Sequence, residues 1–142
     1  TFYLYLPAMD TEQKTIVPTA SEKYRIVVAD DNAKVLELLE KNFRKIGIGI
    51  ITCRDVEKLK EYLEEAETDV LYIDETLEDG SGVEFCMSIS GKYPQMKKIV
   101  MAAHITRELA EAKQHGIIDG YVEKPVSEVT LLDVVRQCEE NV

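Results

Sequence analysis

Two kinds of segment alternate along the chain from residue 24 onward. Short apolar runs are typical of buried strands, and the longer stretches between them carry apolar residues at helical spacing. The apolar runs are RIVVAD, GIGIIT, DVLYID, KKIVMAA and GYVEK. The helical repeats are Leu36, Leu39, Phe43 and Ile46 after the first run, and Leu131, Val135 and Cys138 after the last. Five strands alternating with five helices predict a doubly wound α/β fold, in which right-handed crossovers cover both faces of a parallel sheet.

Polar residues mark where three of the helices begin. Asp55 and Thr106 each precede a helical stretch, and both residue types accept hydrogen bonds from free amides at a helix start. Ser81 and Glu84 have the spacing of a capping box, in which each side chain binds the other's backbone amide. These signals place helix starts at residues 56, 82 and 107.

The first residues, TFYLYLPAMD, have a different pattern. Apolar and aromatic residues alternate up to Leu6 before Pro7, which predicts a short strand over residues 1–7. Residues 8–23 are polar and contain Pro18, so they are predicted to be a linker. Residues 24–142 then form one globular domain.

The charge of the chain limits its partners. The 142 residues carry a net charge of −10, with a pI near 4.7. A nucleic-acid partner is not expected, because phosphate binding needs a basic surface. A divalent cation or a basic protein surface fits better. Since no segment is long and apolar enough to cross a bilayer, we expect a cytoplasmic fragment without direct membrane contact, whose parent protein could be anchored elsewhere.

The three cysteines indicate neither a disulfide framework nor a zinc site. Cys53, Cys86 and Cys138 are an odd number, are widely spaced and form no CxxC pair. They are predicted to be buried free thiols.

Charged residues end three of the predicted strands. Asp30 and Asp31 end the first, Asp74 ends the third, and Lys124 ends the fifth. Each acidic residue alone could simply cap the next helix or turn. Together, three converging carboxylates need a compensating cation, and their oxygens favour a hard ion such as Mg2+. With a lysine and a nucleophilic aspartate, such a set can accept a phosphoryl group.

These residues, in this order, resemble the receiver domain of response regulators over residues 24–142. The resemblance implies a flavodoxin-like five-stranded parallel sheet in the order 2-1-3-4-5 with five helices. It implies that Asp74, in YIDETLEDGSG, is the phosphoacceptor, and that Asp30 and Asp31, in VVADDN, bind Mg2+. Lys124, in YVEKPV, would pair with the phosphoryl group.

Three further roles follow from the resemblance alone. The backbone carbonyl of Thr76 would be a metal ligand, because this residue comes two positions after Asp74. Tyr121 matches the aromatic residue that reorients on activation. Pro125 would follow a cis peptide bond.

One position departs from the family pattern. Receivers normally end the fourth strand with a threonine or serine whose hydroxyl binds the phosphoryl group, and the stretch KKIVMAAHIT places Ala102 there. A shifted alignment would bring in Thr106, but Thr106 is better suited to cap a helix. Phosphoryl acceptance should survive this change, whereas the conformational switch should weaken, because the missing hydroxyl is the group that moves toward phosphate.

The segment TFYLYLP resembles the last strand of the ATP-binding domain of sensor histidine kinases. A receiver after such a strand implies the C-terminal part of a hybrid histidine kinase. An unrelated edge strand is the alternative. An isolated strand of this kind would need a partner edge or groove, and a second copy of the chain in a homodimer is one candidate.

Three functions remain open on the sequence. The first is a phosphorelay receiver that takes a phosphoryl group from a histidine kinase or a histidine phosphotransfer protein. The second is a receiver-fold interaction module whose switching is weak or independent of phosphate. The third is a flavodoxin-like cofactor binder, which the acidic strand ends disfavour. No glycine-rich phosphate loop is present, so the fragment is not expected to use ATP itself.

His104 and His115 have no second ligand at metal spacing and are predicted to be surface or partly buried residues.

Overall fold

The computed structural model describes residues 25–140, with side chains described as far as residue 137. The strand predicted over residues 1–7, the linker over 8–23, the homodimer contact through that strand and the side chain of Cys138 lie outside the described residues. Within the described residues, no helix has both the length and the apolar character that a membrane span requires.

Five parallel strands form the central sheet. They are β1 (Ile26–Ala29), β2 (Ile51–Cys53), β3 (Val70–Asp74), β6 (Lys97–Ala102) and β7 (Gly120–Glu123). Their order is β2-β1-β3-β6-β7. The remaining two strands, β4 (Thr76–Leu77) and β5 (Gly80–Ser81), form a separate antiparallel hairpin directly after β3. Counted along the main sheet alone, the order is 2-1-3-4-5, which confirms the predicted fold class.

Five helices accompany the sheet in the described part of the chain. They are α1 (Ala33–Lys45), α2 (Val56–Glu65), α3 (Gly82–Ser88), α4 (Arg107–Gln114) and α5 (Glu128–Glu140). The three predicted caps are confirmed: Asp55 accepts a hydrogen bond from the Lys58 amide, Ser81 from Glu84 and Thr106 from Leu109. Side-chain acceptors of this kind satisfy amides that have no partner within the helix.

The alternation of side chains along β1 divides the core into two layers. Val27 and Ala29 face the cluster built with α2, α3 and α4, whereas Ile26 and Val28 face the cluster built with α1 and α5. Successive residues of a strand point to opposite faces, so a strand covered on both sides is apolar throughout. Each large side chain fully buried in this way contributes about 1.5–3 kcal/mol to folding.

The chain between α1 and β2 differs from the sequence-based prediction. GIGIIT was expected to be a strand from Gly47, but β2 begins only at Ile51. Gly47 has a φ of +84° and the Ile48 amide donates to the Phe43 carbonyl at 2.9 Å, so these residues end α1. Ile46, expected on the buried face of the helix, is 44% exposed because it lies in this helix end.

Cys53 and Cys86 are buried free thiols, as predicted. Burial raises the pKa of each to about 12, so neither is a reactive thiolate at neutral pH. Their role is to fill the core cluster around α2 and α3.

We predict that Tyr72→Phe lowers the free energy of unfolding by about 0.5–1.5 kcal/mol, the net contribution of one hydrogen bond. The wholly buried Tyr72 hydroxyl donates to the Leu131 carbonyl at 2.8 Å, which ties β3 to α5. Urea unfolding measures the change. Tyr93→Phe, at a half-buried position, is the control and should change stability by less; equal losses for the two variants would contradict the prediction.

We predict that Gly82→Ala destabilises the fold by about 1–3 kcal/mol, as overpacking does. A Cβ at Gly82 would lie 2.3 Å from the Asp74 carbonyl oxygen, and a backbone atom cannot move aside cheaply. Thermal and urea unfolding would show the loss. Gly49→Ala is the matched control, because a Cβ there meets no atom within 4 Å. Similar stabilities for the two variants would count against this close packing.

Candidate functional site

The sheet brings three carboxylates together at the carboxyl ends of two neighbouring inner strands, β1 and β3. Asp30 and Asp31 follow β1 and Asp74 ends β3, and the two strands are paired in register, with Ala29 opposite Ile73. Ligand oxygens of the three aspartates lie within 4.8 Å of one another. Asp30 is completely buried, and Asp74 is 8% exposed.

Lys124 enters the same cluster from β7. Its Nζ lies 2.9 Å from Oδ2 of Asp30 and 3.0 Å from Oδ2 of Asp74. The Lys124 backbone amide donates to the Ala102 carbonyl at 2.7 Å, which fixes where the side chain begins. One ammonium therefore bridges two of the three carboxylates.

The protonation of the cluster follows from burial and mutual charge. Burial would lower the pKa of Lys124, but pairing with the carboxylates of Asp30 and Asp74 outweighs burial and raises that pKa, so the ammonium stays charged. Burial raises the pKa of Asp74, and the Asp30 carboxylate adds to this rise, while Lys124 and the Thr76 amide oppose it. Lys124 is therefore the group that favours the ionised form of Asp74 most strongly.

The donor set fits a divalent cation. Asp30 Oδ1 accepts a hydrogen bond from the Asn32 amide at 2.8 Å. The other oxygen of Asp30, Oδ2, is buried and accepts no hydrogen bond of normal geometry, although the Lys124 ammonium lies 2.9 Å away. Three carboxylates against one ammonium leave the cluster with excess negative charge. All the candidate ligands are oxygens, as Mg2+ prefers. Asp30, Asp31 and Asp74 are the residues that would hold such an ion.

The hairpin after Asp74 carries the remaining predicted ligand. Thr76 begins β4 and is exposed, and its amide lies 3.5 Å from Asp74 Oδ1, which is long for a hydrogen bond. At the base of the hairpin the Gly82 amide donates to the Glu75 carbonyl at 2.8 Å. The Thr76 backbone is thus held next to the acidic cluster.

The predicted switch residues lie along the neighbouring strands. Ala102 is completely buried at the end of β6, and Thr106 is the N-cap of α4, so Ala102 occupies the strand end. Tyr121 is half-buried in β7, with Lys113 Nζ 5.8 Å from its ring centre. The peptide bond between Lys124 and Pro125 is cis.

The two histidines are not members of the acidic cluster found among residues 25–137. His104 and His115 are both exposed.

Three residues near the site were missed by sequence reasoning. Asn32 caps α1 and its amide binds Asp30, the Arg54 guanidinium donates to the Asp31 carbonyl at 3.3 Å, and Asp79 joins the hairpin to α2. An available signal was the dipeptide of Asp79 and Gly80, which is typical of a hairpin turn. Arg54 carried no comparable signal, because its contact depends on the tertiary fold.

Comparison with known proteins agrees with this geometry. Residues 26–136 match the family model described as the response regulator receiver domain. Among solved structures, the chain is similar to the response regulator DrrB of Thermotoga maritima, an OmpR/PhoB homolog, with 25% identity and a TM-score of 0.70. That match covers 83% of this chain and 53% of the DrrB chain, so this chain spans about half the length of that protein.

Two shorter proteins match over almost their whole length. The BeF3-activated receiver domain of DrrB is 26% identical with a TM-score of 0.68, and the match covers 82% of this chain and 97% of that one. The chemotaxis response regulator CheY4 of Vibrio cholerae, at 17% identity, shares the fold with a TM-score of 0.71, over 81% of this chain and 98% of that one. Since the family model spans most of the chain, this protein belongs to the response-regulator receiver domain family.

Proposed function

We propose that this chain is a phosphorelay receiver that accepts a phosphoryl group on Asp74 in the presence of Mg2+. The observation that carries the proposal is the position of the Lys124 ammonium, 3.0 Å from Asp74 in a cluster that also contains Asp30 and Asp31. The cluster supplies a nucleophile, a cation for the phosphoryl oxygens and ligands for a metal. These are the parts that phosphoryl transfer to a carboxylate requires.

The reaction transfers one phosphoryl group without any redox change. An Asp74 carboxylate oxygen attacks phosphorus, an oxygen–phosphorus bond forms, and the phosphorus–nitrogen bond of a phosphohistidine breaks. The electron pair of that bond stays on the imidazole, which takes a proton from solvent. The products are an acyl phosphate on Asp74 and a neutral histidine on the donor.

The residues of the chain have separate roles in this step. Bound Mg2+ would neutralise phosphoryl oxygens, with Asp30, Asp31, Asp74 and the Thr76 carbonyl as its protein ligands. Lys124 already has its ammonium beside Asp74, so it could pair with the oxygens of a phosphoryl group there in place of the Asp74 carboxylate. Buried Asp30 holds Lys124 in place by a 2.9 Å ion pair.

The partners we propose are a histidine kinase or a histidine phosphotransfer protein. The net charge of −10 supports a basic protein surface rather than nucleic acid as the binding partner. The DrrB receiver domain is BeF3-activated, which is a property of that protein and supports a response to a comparable anion here. We also propose that residues 1–7 are the last strand of an upstream kinase domain, which makes the parent protein a hybrid histidine kinase.

A second candidate function comes from Ala102. The completely buried methyl group at the end of β6 offers no hydroxyl to a phosphoryl group on Asp74. A charge-assisted hydrogen bond of this kind contributes about 1.5–3 kcal/mol, similar to a typical allosteric coupling free energy of about 1–3 kcal/mol. The domain could therefore act as an interaction module whose switching depends weakly on phosphate.

We predict that the chain gains one phosphoryl group, seen by intact mass, when it is incubated with Mg2+ and acetyl phosphate. Asp74→Asn should gain none, because the amide is not a nucleophile. Removing Mg2+ with a chelator should abolish the gain on the wild-type chain. Glu75→Gln, next in the chain but outside the carboxylate cluster, is the control and should be phosphorylated normally. A wild type that folds and binds Mg2+ but gains no mass would favour the second candidate function.

We predict that Ala102→Thr strengthens the conformational response to phosphorylation. The added hydroxyl can bind the phosphoryl group and so hold the loop over residues 103–106. Phosphorylation should therefore slow amide hydrogen exchange in this loop about tenfold more in the variant than in wild type, which is within the usual range of allosteric coupling. Ala102→Val has nearly the same shape without the hydroxyl and is the matched control. An equal response from Val and Thr would show that the hydroxyl is not the missing element.

A further inference from the structure

The hairpin that follows Asp74 is attached at its tip to the start of α2. The Asp79 carboxylate accepts hydrogen bonds from the Val56 amide at 2.8 Å and from the Glu57 amide at 3.3 Å. Asp55 independently accepts from the Lys58 amide at 2.7 Å. Three of the free amides at this helix start are thus satisfied by two carboxylates, and one of these belongs to the hairpin.

The contact between hairpin and helix is close. A Cβ at Gly80 would lie 3.2 Å from Val56 Cγ2, so a larger residue would push the hairpin away. Leu77 is 4% exposed and belongs to the core cluster that includes Leu59 of α2. The amides of Val56 and Glu57 also lower the pKa of Asp79, in accord with the positive end of the helix dipole.

The base of the same hairpin is joined to β6, directly after Asp74 in the chain. The Glu75 amide donates to the Met101 carbonyl at 2.8 Å, and the Gly82 amide donates to the Glu75 carbonyl at 2.8 Å. Thr76 pairs with Ser81 across the two strands. The hairpin therefore has two anchors, and the Thr76 carbonyl lies between them.

We infer that Asp79 is a positioning residue, which holds the Thr76 carbonyl beside the carboxylate cluster by fixing the hairpin tip to α2. Asp79 touches neither the cation nor the phosphoryl group. It acts through the hairpin backbone, in the way that outer residues orient the ligands of a metal. The inference rests on the proposed function, because it concerns the Mg2+ that the phosphoryl transfer requires.

Two measurements on the full chain test this inference. Calorimetric titration gives the Kd for Mg2+, and intact-mass measurements give the rate at which acetyl phosphate phosphorylates Asp74. Asp79→Ala should raise the Kd for Mg2+ about tenfold, at the lower end of the effects seen for such positioning residues. The rate at which Asp79→Ala is phosphorylated at saturating Mg2+ should stay close to that of wild type, because Asp74 and Lys124 are unchanged. Asp79→Asn should recover most of the affinity, because its amide oxygen still accepts one hydrogen bond.

Two controls separate positioning from stability and from charge. Asp55→Ala removes the other cap of α2, so it should lower the melting temperature without changing the Kd for Mg2+. Glu78→Gln removes a neighbouring exposed charge of the hairpin and should also leave the Kd close to wild type. If Asp55→Ala or Glu78→Gln weakens Mg2+ binding as much as Asp79→Ala, capping or charge explains the effect and the inference is overturned.

The outcomes distinguish this inference from the proposed function. A wild type that binds Mg2+ and is phosphorylated, together with an unchanged Kd in Asp79→Ala, would overturn the positioning role alone. A wild type that neither binds Mg2+ nor gains a phosphoryl group would overturn both.

Discussion

Compensation of negative charge at one edge of the sheet is the constraint on which the site depends. Two like charges 4 Å apart near a protein surface repel each other by about 4 kcal/mol, and here three carboxylates have oxygens within 4.8 Å. Lys124 offsets part of this repulsion, with one ammonium at 2.9 and 3.0 Å from two of them. The remaining excess negative charge would favour a dication in the metal site proposed above.

The fold meets this constraint by placing distant parts of the chain at the same edge. Parallel pairing of β1 with β3 puts Asp30 beside Asp74, and the position of β7 at the edge of the sheet brings Lys124 across β6. Gly82 lets α3 begin against the Asp74 carbonyl, where any side chain would collide with the backbone. The two core layers hold the strands in register, and the burial of Asp30 and Asp74 follows from that packing.

Much of the fold could be predicted, because its signals are local. Buried parallel strands are continuous apolar runs, and caps such as Asp55 and Thr106 are chemical features of single residues. The predicted start of β2 was wrong, because Gly47 and Ile48 end α1. Gly47 adopts a left-handed backbone conformation there, which the apolar pattern does not reveal. The strand ends predicted that Lys124 lies at this edge, but its bridge between Asp30 and Asp74 depends on the tertiary fold and was not predicted. Asp79 binds the amides of Val56 and Glu57, which precede it by 23 and 22 positions in the chain. Neither segment alone reveals this contact.

If the domain has the proposed function, the charges of the cluster explain how phosphoryl acceptance and conformational switching could separate. Three carboxylates carry −3, and one dication with one ammonium would supply +3, so the site without phosphate would be neutral. A phosphorylated aspartate carries a charge of about −2 in place of −1, which leaves one excess negative charge. Hydrogen-bond donors around the pocket must stabilise that charge. Ala102 removes a donor without changing the charge balance. Under the proposed function, Asp74, Lys124 and the other carboxylates are unchanged by this alanine, so the transfer should proceed, whereas the side chain at the end of β6 offers phosphate no hydroxyl.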